Sequence, residues 1–285
     1  MVDNNKEYVL KTYSLLLCSK MIPMSQTRII TLLTDFGLSD VYVGVMKGVI
    51  AQVNPTLTVV DLTHEIPPQN IAAGSFCLMS AYPYFPAETV HIAVVDPGVG
   101  SHRRAVAIAL AQGFLVGPDN GLFSGIINQF PVLKAVELTN AEYWLTSTPS
   151  TTFHGRDIFA PVGANLANGV PLEKLGIAIN PETLVQLPIL KCEEQNSVIV
   201  GSIQYIDRFG NLITNIPGNL VESNNWSVKI STFTITGNQT YSDSTLGSLL
   251  ALVGSHGWVE VAVNNGNAHS QLQINWGGKV EVILH

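Results

Sequence analysis

The sequence predicts an α/β domain with a mostly parallel sheet, followed by an all-β domain. In the first part of the chain apolar strands alternate with segments of helical periodicity, and after the middle of the chain the alternation becomes that of strands alone. The chain can also bury a large core, since 46% of its 285 residues are hydrophobic and only 12% are charged. We predict the α/β domain over residues 27–180, a linker over 181–194 and the β domain over 195–285.

The α/β prediction rests on an ordered alternation of elements. Strands are predicted over residues 28–33, 58–62, 91–95, 105–110 and 114–117, and helices over 41–53, 70–82, 122–129 and 158–168. A sheet built in this order is mostly parallel and is covered by helices on both faces. Ligands bind such sheets outside the carboxyl ends of the strands, where Asp35 and Asp96 both fall.

The β prediction rests on short segments in which apolar residues alternate with polar ones. Strands are predicted over residues 197–206, 212–216, 226–230, 233–235, 258–263, 271–274 and 279–284. Asn, Gly and Ser separate them, a pattern typical of a small barrel or a sandwich. The linker prediction rests on the two prolines of residues 181–194 and on the absence of a firm period there.

Composition excludes several classes of protein. The formal net charge is −7 and the basic residues are scattered, so nucleic acid is not an expected partner. Cys18, Cys77 and Cys192 are far apart and lack metal-ligand spacing, so we expect no zinc site and no structural disulfide. They fit a reducing compartment, and a cytoplasmic location is predicted. No segment reaches the ~20 apolar residues that a membrane span requires.

Residues 1–26 precede the periodic part of the chain. The apolar stretch 13–18 follows Lys6 and Lys11, but it is shorter than the ~7–15-residue core of a signal peptide and lacks a small-residue cleavage site after it. Met21 and Met24 lie directly before the first predicted strand. The segment is therefore predicted to be a flexible extension or the result of an upstream start.

Residues 93–104 contain a charged loop between two predicted strands. An apolar run ends in Asp96, two glycines follow, and Arg103 and Arg104 precede the next strand. Asp96 could cap a turn and form a structural ion pair with Arg103. It could equally be a catalytic carboxylate held by a guanidinium, and this window alone favours neither interpretation.

Common enzyme signatures are absent: the sequence contains no GxGxxG, phosphate loop, GxSxG or HExxH motif. The remaining candidates are polar residues at predicted strand ends and turns, namely Asp35, Asp40, Asp96, Arg103, Asp119, Asn120, His154, Arg156, Asp157, the segment 207–211 and the segment 254–257. Structural roles are open for several of them. His154 could be a cap or solvent-facing group, Asp207 and Asn211 could form a hairpin turn, and Asp40 could cap a helix.

Five of these segments together resemble one family. They are LTDFG at 33–37, VVDPGVG at 94–100, GPDNG at 117–121, TFHGRD at 152–157 and DRFGN at 207–211. In this order they resemble the S-adenosylmethionine (SAM) hydroxide adenosyltransferases, hydrolases related to the bacterial fluorinase and chlorinase. The resemblance runs from about Arg28 to the C-terminus and leaves residues 1–26 outside.

The resemblance implies a Rossmann-like α/β domain and a β-barrel-like domain, assembled as a homotrimer with the ligand between subunits and with no cofactor. It implies that Asp96, Arg103 and His154 activate a water; the related halogenases have Tyr in place of Asp96. The substrate-binding residues it implies are Asp35 for the ribose, Asp207 and Asn211 for the methionine end, Ser255, Val263 and Asn265 for methionine and adenine, and Asp40 on the ligand side. At Tyr42 the halogenases have Ser, so no methionine contact is carried over there.

The predicted reaction is hydrolysis of SAM to adenosine and L-methionine by attack of water on the 5′ carbon. A sulfonium already activates this carbon, so a carboxylate that orients water and takes its proton is the group the reaction needs. Two alternatives are a halide nucleophile and a non-catalytic SAM- or adenosine-binding protein. A negative charge at Asp96 disfavours the halide.

Overall fold

The structure is a computed structural model that describes residues 29–188, 191–222 and 225–285. The extension predicted over residues 1–26 lies outside the described residues. The chain forms two compact units that divide between Gln186 and Leu187, and each has its own hydrophobic core.

The first unit contains a seven-stranded sheet in the described part of the chain. Its strands are β1 (Ile29–Thr34), β2 (Thr58–Thr63), β3 (Thr89–Val94), β4 (Ala105–Leu110), β5 (Gly113–Pro118), β6 (Val132–Glu137) and β7 (Ile177–Ile179). Their spatial order is β2-β1-β3-β5-β4-β6-β7. The pairs β2-β1, β1-β3 and β3-β5 are parallel, and the other three are antiparallel, so β4 and β7 alone run against the common direction. The predicted mostly parallel sheet is confirmed.

The helices of this unit are α1 (Tyr42–Val53), α2 (Ile71–Ala81), α3 (Ser124–Ile127) and α4 (Ala160–Ala167), and a π-helical turn (Gly155–Phe159) directly precedes α4. α1 and α4 pack against each other, and their buried side chains share one core with those of β1 and β3. In residues 29–188, 191–222 and 225–285, no helix has both the length and the apolar character needed to cross a lipid bilayer.

The first turns of α1 and α2 differ in their caps. Asn70 caps α2, because its side chain accepts a hydrogen bond from the Ala73 N–H at 3.0 Å. The cap interpretation of Asp40 is wrong: the cap position of α1 is Val41, and no side chain there accepts a helix N–H. The strands β6 and β7 were not predicted, because β6 is half exposed and β7 is a three-residue edge strand without an apolar period.

The register of the sheet brings the predicted site residues to one edge. Thr34 and Val94 are register partners at the carboxyl ends of β1 and β3, so Asp35 and Asp96 follow from adjacent strands. β5 runs parallel to β3 and is followed by Asp119 at the same edge. The carboxyl edge of this sheet therefore carries the three carboxylates that the sequence places after strands.

The second unit is an antiparallel sheet that almost closes on itself. Its strands are β8 (Glu193–Gln195), β9 (Val198–Ile206), β10 (Leu212–Pro217), β11 (Trp226–Ile230), β12 (Phe233–Thr236), β13 (Leu249–Val253), β14 (Trp258–Val263) and β15 (Lys279–Leu284). The order is β12-β11-β15-β9-β10-β14-β13, with β8 paired to β9. A bridge between Gly237 and Ala251 joins the two ends of this order. The sheet is barrel-like rather than a sandwich.

One predicted strand in this unit is wrong. Residues 271–274 do not form a strand, because helix α5 (Ala268–Leu272) occupies this position. Asn267 caps the helix by accepting the Ser270 N–H at 2.6 Å, and Gln273 ends it in a left-handed conformation. The alternating pattern that predicted a strand spans only four residues, and it is a weaker signal than the helix cap at Asn267. β13 was not predicted, because its continuous apolar run lacks alternation.

His91 lies in the middle of β3 and is 1% exposed. Its Nδ1 is 2.8 Å from the Thr31 Oγ1, and the rings of Tyr82 and Phe85 pack against it. Burial lowers the pKa of His91 to about 4. The native core therefore holds this imidazole in its neutral form.

We expect this histidine to make the fold sensitive to acid. The unfolded chain binds a proton near the ordinary His pKa of about 6.5 and the native chain only near 4, so native stability falls as the pH drops through this window. At pH 5 the loss relative to pH 7.5 is about 2 kcal/mol. Urea unfolding at both pH values should show that His91→Gln loses less stability than the native sequence. His102→Gln, a substitution of an exposed histidine, is the control. Equal losses of unfolding free energy in the native protein and in both variants would contradict the prediction.

Candidate active site

Asp96, Arg103 and His154 form one hydrogen-bonded cluster in the first unit. The Nε of Arg103 donates to both carboxylate oxygens of Asp96 at 3.0 Å, and one of its terminal nitrogens is 2.5 Å from Oδ2. The same terminal nitrogen lies 2.6 Å from Nδ1 of His154. The guanidinium thus bridges the carboxylate and the imidazole, which are supplied by two different loops.

This ion pair is largely removed from solvent. The side chains of Asp96 and Arg103 are 5% and 9% exposed, and the guanidinium carbon lies 5.3 Å from the centre of the Phe159 ring. Burying two charges costs several kcal/mol for each, so such a pair contributes little net stability to a fold. Its placement at the carboxyl edge of the sheet, where sheets of this kind bind ligands, favours a chemical role.

The cluster also determines the protonation of His154. A guanidinium can only donate, so Nδ1 of His154 accepts from Arg103 and the ring hydrogen is on Nε2. Burial lowers the pKa of His154, and repulsion by Arg103 lowers it further, although Asp96 and Asp157 act in the opposite direction. The imidazole is therefore neutral at neutral pH and presents an N–H donor.

Gly100 lets the loop that carries Asp96 and Arg103 pack tightly on the loop that carries His154. Its φ is +77°, and a Cβ at this position would lie 2.3 Å from the Thr151 carbonyl oxygen. Only glycine can adopt this positive φ and leave room for the Thr151 carbonyl without displacing the backbone. The approach brings Gly100 against Thr151, in the segment that leads into His154.

Arg156 and Asp157 anchor the His154 loop. Asp157 is fully buried, accepts from Arg156 Nε at 2.6 Å and from the Ser150 N–H at 2.7 Å, and follows His154 by three residues. Burial raises the pKa of Asp157, but the bonds from Arg156 and Ser150 outweigh burial and hold it below its ordinary value. Arg156 and Asp157 are thus paired with each other, and Asp157 also bonds to the backbone; neither is hydrogen-bonded to Asp96 or Arg103.

Asp35 lies on the neighbouring loop, where its Oδ2 accepts from the Gln69 N–H at 2.7 Å. The next residue, Phe36, has its ring centroid 5.9 Å from that of Phe153, the residue before His154. A cleft of about 360 Å³ is lined by residues of both segments. Its lining residues are Phe36, Tyr42, Ser150, Thr152, Phe153 and Arg156. Asp40, in contrast, is exposed on the segment before α1.

In the second unit Asp207 and Asn211 face each other across the hairpin turn between β9 and β10. Asp207 Oδ1 accepts the N–H groups of Phe209 and Asn211 at 2.9 and 2.8 Å, and Oδ2 accepts from Asn211 Nδ2 at 3.0 Å. Gly210 has a φ of +81°, as the turn requires. The hairpin interpretation of these residues is correct, and the turn leaves a carboxylate and an amide side by side.

Two family profiles cover most of the chain. The N-terminal domain profile of the SAM hydroxide adenosyltransferases matches residues 30–176, and the C-terminal domain profile matches residues 201–281. The chain belongs to the SAM hydroxide adenosyltransferase family.

Named relatives of this adenosyltransferase-family protein include hydrolases and fluorinases. The (R)-S-adenosyl-L-methionine hydrolase of Salinispora tropica is 43% identical, and the alignment covers 91% of this chain and 99% of that protein. The protein of the same name from Thermus thermophilus is 40% identical, with 90% and 100% covered. A fluorinase from Actinoplanes is 29% identical, with 68% and 74% covered.

Solved structures show the same fold for this member of the SAM hydroxide adenosyltransferases. A crystal structure described as an uncharacterized conserved protein from Thermotoga maritima superposes with a TM-score of 0.84 at 36% identity, covering 89% of this chain and 99% of that one. This agreement extends to both units, because nearly all of each chain is included.

Sequence reasoning missed a buried polar cluster in the C-terminal domain of this family member. Glu260 is 3% exposed in β14, accepts a short hydrogen bond from the Tyr241 hydroxyl, and lies 2.9 Å from His256 Nε2. Burial and the Glu260 carboxylate raise the pKa of Tyr241. Asn211 Nδ2 is 3.4 Å from the Tyr241 hydroxyl, so the cluster reaches the hairpin turn. The sequence signal for this cluster was Glu260, the single charged residue inside the apolar run 258–263.

The remaining predicted site residues of this adenosyltransferase-family chain lie in β14 or next to it. Ser255 is exposed in the turn before the strand and directly precedes His256. Val263 is the last residue of β14 and is buried, and Asn265 follows it with a φ of +56°. Ser255 and Asn265 therefore lie at opposite ends of the strand, and a chain of hydrogen bonds through Glu260 connects the Ser255 turn to Asn211.

Proposed function

We propose that this protein hydrolyses SAM to adenosine and L-methionine. The observation that carries the proposal is the cluster of Asp96, Arg103 and His154, a buried carboxylate bridged by a guanidinium to a neutral imidazole. The two relatives at 40% and 43% identity that are named (R)-S-adenosyl-L-methionine hydrolase support the same reaction.

The reaction is a displacement at the 5′ carbon of the adenosyl group. Water forms a bond from its oxygen to this carbon, the carbon–sulfur bond breaks, and the electron pair of that bond neutralises the sulfonium. Methionine leaves as a neutral thioether, and one proton of the water must be accepted. Aligning the water opposite the sulfur at roughly 3–3.5 Å would supply much of the rate.

Asp96 is the proton acceptor that the geometry favours. The Nδ1 lone pair of His154 is directed at Arg103, and Nε2 bears the ring hydrogen, so the imidazole donates a hydrogen bond and does not act as a base in this state. Arg103 fixes both oxygens of Asp96. The water is thus oriented by His154 and Asp96 together, and Asp96 takes its proton as the carbon–oxygen bond forms.

The same carboxylate argues against a halide nucleophile. A fluoride or chloride ion held beside Asp96 would be repelled, and the repulsion is larger where solvent is excluded, as it is around a side chain that is 5% exposed. The fluorinase relative is also less similar, with 29% identity over 68% of this chain.

Substrate binding is part of the proposal. Asp35 would hold the ribose hydroxyls, Asp207 and Asn211 the amine and carboxylate of methionine, and Ser255, Val263 and Asn265 the methionine and adenine, with Asp40 on the ligand side. The supporting observations are the fixed orientation of the Asp35 carboxylate by Gln69 and the paired acceptor and donor in the 207–211 turn. No cofactor is needed in this scheme, because the sulfonium itself activates the carbon.

Assembly and location complete the proposal. The family resemblance supports a homotrimer with sites at subunit interfaces, and light scattering of the full chain would then give three times the chain mass of 30.7 kDa. The few, widely spaced cysteines support a reducing, cytoplasmic environment.

Hydrolysis in oxygen-18 water tests the reaction directly. We expect the label on the 5′ hydroxyl of adenosine and unlabelled methionine, both detected by chromatography with mass spectrometry. A 5′-halo-5′-deoxyadenosine as main product in added chloride or fluoride would contradict hydrolysis. Recovery of unchanged SAM from a protein that binds it would instead indicate a non-catalytic binding protein.

A further inference from the structure

The turn formed by residues 119–121 follows β5 at the carboxyl edge of the sheet and has no role in the mechanism described above. Its two polar residues, Asp119 and Asn120, contact the chain on either side of the loop 96–103. This loop supplies both members of the buried ion pair, so the positions of its two ends determine how Asp96 and Arg103 meet.

Asn120 holds the first end of the loop. Its Nδ2 donates to the carbonyl oxygen of Val95 at 2.9 Å, and Val95 directly precedes Asp96. Its Oδ1 accepts the Leu122 N–H at 3.2 Å, which fixes the orientation of the amide. Asparagine supplies the donor and the acceptor at once, whereas aspartate could supply only the acceptor.

Asp119 holds the second end. Its N–H donates to the carbonyl oxygen of Arg104 at 2.9 Å, and its Oδ2 accepts from Arg104 Nε at 2.8 Å. The carboxylate is buried and also accepts the Val185 N–H at 2.8 Å. Arg104 directly follows Arg103, and its ion pair with Asp119 keeps it away from Asp96.

We propose that Asn120 and Asp119 are positioning residues that clamp both ends of the loop 96–103 and thereby set the Asp96–Arg103–His154 geometry. The inference rests on the proposed hydrolysis for its kinetic consequence. Neither residue contacts the reacting atoms in this scheme; they act through Val95 and Arg104. A displacement of about 1 Å at a reacting group can cost roughly 100-fold in rate, so a loosened loop end should affect chemistry more than binding.

Steady-state kinetics of Asn120→Ala test the clamp. We expect kcat to fall about 10- to 100-fold while KM for SAM stays within about threefold, because the substrate-binding residues are unchanged. Asn128→Ala, on the exposed end of α3, is the matched control and should retain both constants. Asn120→Asp is the second variant if the alanine variant does not fold. It preserves the shape of the side chain and the bond from the Leu122 N–H, but it removes the donor to the Val95 carbonyl oxygen. This variant should also lower kcat.

A second readout does not require turnover. The proton NMR titration of His154 should show a higher pKa in Asn120→Ala than in the native protein, because a displaced Arg103 no longer repels the imidazolium. An unchanged kcat together with an unchanged His154 titration would overturn the clamp, as would a parallel rise in KM with the fall in kcat. If the native protein fails to hydrolyse SAM while the His154 titration still responds to Asn120→Ala, the clamp stands and the proposed function fails.

Discussion

Replacing Asp96 with asparagine should lower kcat for SAM hydrolysis by about 10²–10⁴-fold, the range typical of losing a general base. The amide keeps the size of the carboxylate but can neither accept a proton from water nor balance the Arg103 charge. KM should change by no more than a few-fold, because the proposed ribose and methionine contacts lie elsewhere. The measurement is chromatographic detection of adenosine over a range of SAM concentrations up to saturation, which gives both constants.

Glu173→Gln is the control for this substitution. Glu173 is an exposed carboxylate that pairs with Lys134, so the control removes a paired carboxylate without touching the cluster. It should leave kcat unchanged, since an exposed ion pair has only a small effect even on stability. An Asp96→Asn enzyme that retained activity within a few-fold of the native protein would remove Asp96 from the mechanism.

Replacing Arg103 with methionine should be the most destabilising single change in the cluster. It leaves the Asp96 carboxylate, whose side chain is 5% exposed in the native protein, without its guanidinium partner. Breaking a buried ion pair by removing one member costs about 3–5 kcal/mol. For a chain of this size the midpoint of thermal unfolding should fall by roughly 10 °C, which scanning calorimetry would measure.

The double variant Asp96→Asn with Arg103→Met separates the cost of an unpaired charge from the loss of packing. Removing both charges should recover a large part of the stability, because a neutral pair of similar volume does not need a counter-ion. Activity should stay low in both variants. A double variant as unstable as Arg103→Met alone would show that the guanidinium acts through its packing on Phe159 rather than through its charge.

The sequence by itself determined the order of the elements and the identity of most candidate residues. Apolar runs that end in polar turns predicted β1, β3 and β5 and placed Asp35 and Asp96 after them, because these are local properties of neighbouring residues. The same local reasoning identified the 207–211 turn correctly. It failed at residues 271–274, where a helix cap competed with a short alternating pattern.

The tertiary structure added which groups each of the two arginines contacts beyond the Asp96–Arg103 pair that the sequence analysis had considered. Arg103 and Arg104 are adjacent in sequence, yet one bridges Asp96 to His154 and the other pairs with Asp119. The Asp119 partner of Arg104 was not predicted, and His154 lies 51 residues beyond Arg103, so its contact with the guanidinium depends on the packing of two distant loops. The Glu260 cluster and the roles of Asp119 and Asn120 also depend on chain segments that the fold brings together. Hydrogen bonds and burial between distant residues follow from sheet order and loop packing, and short-range patterns do not encode them.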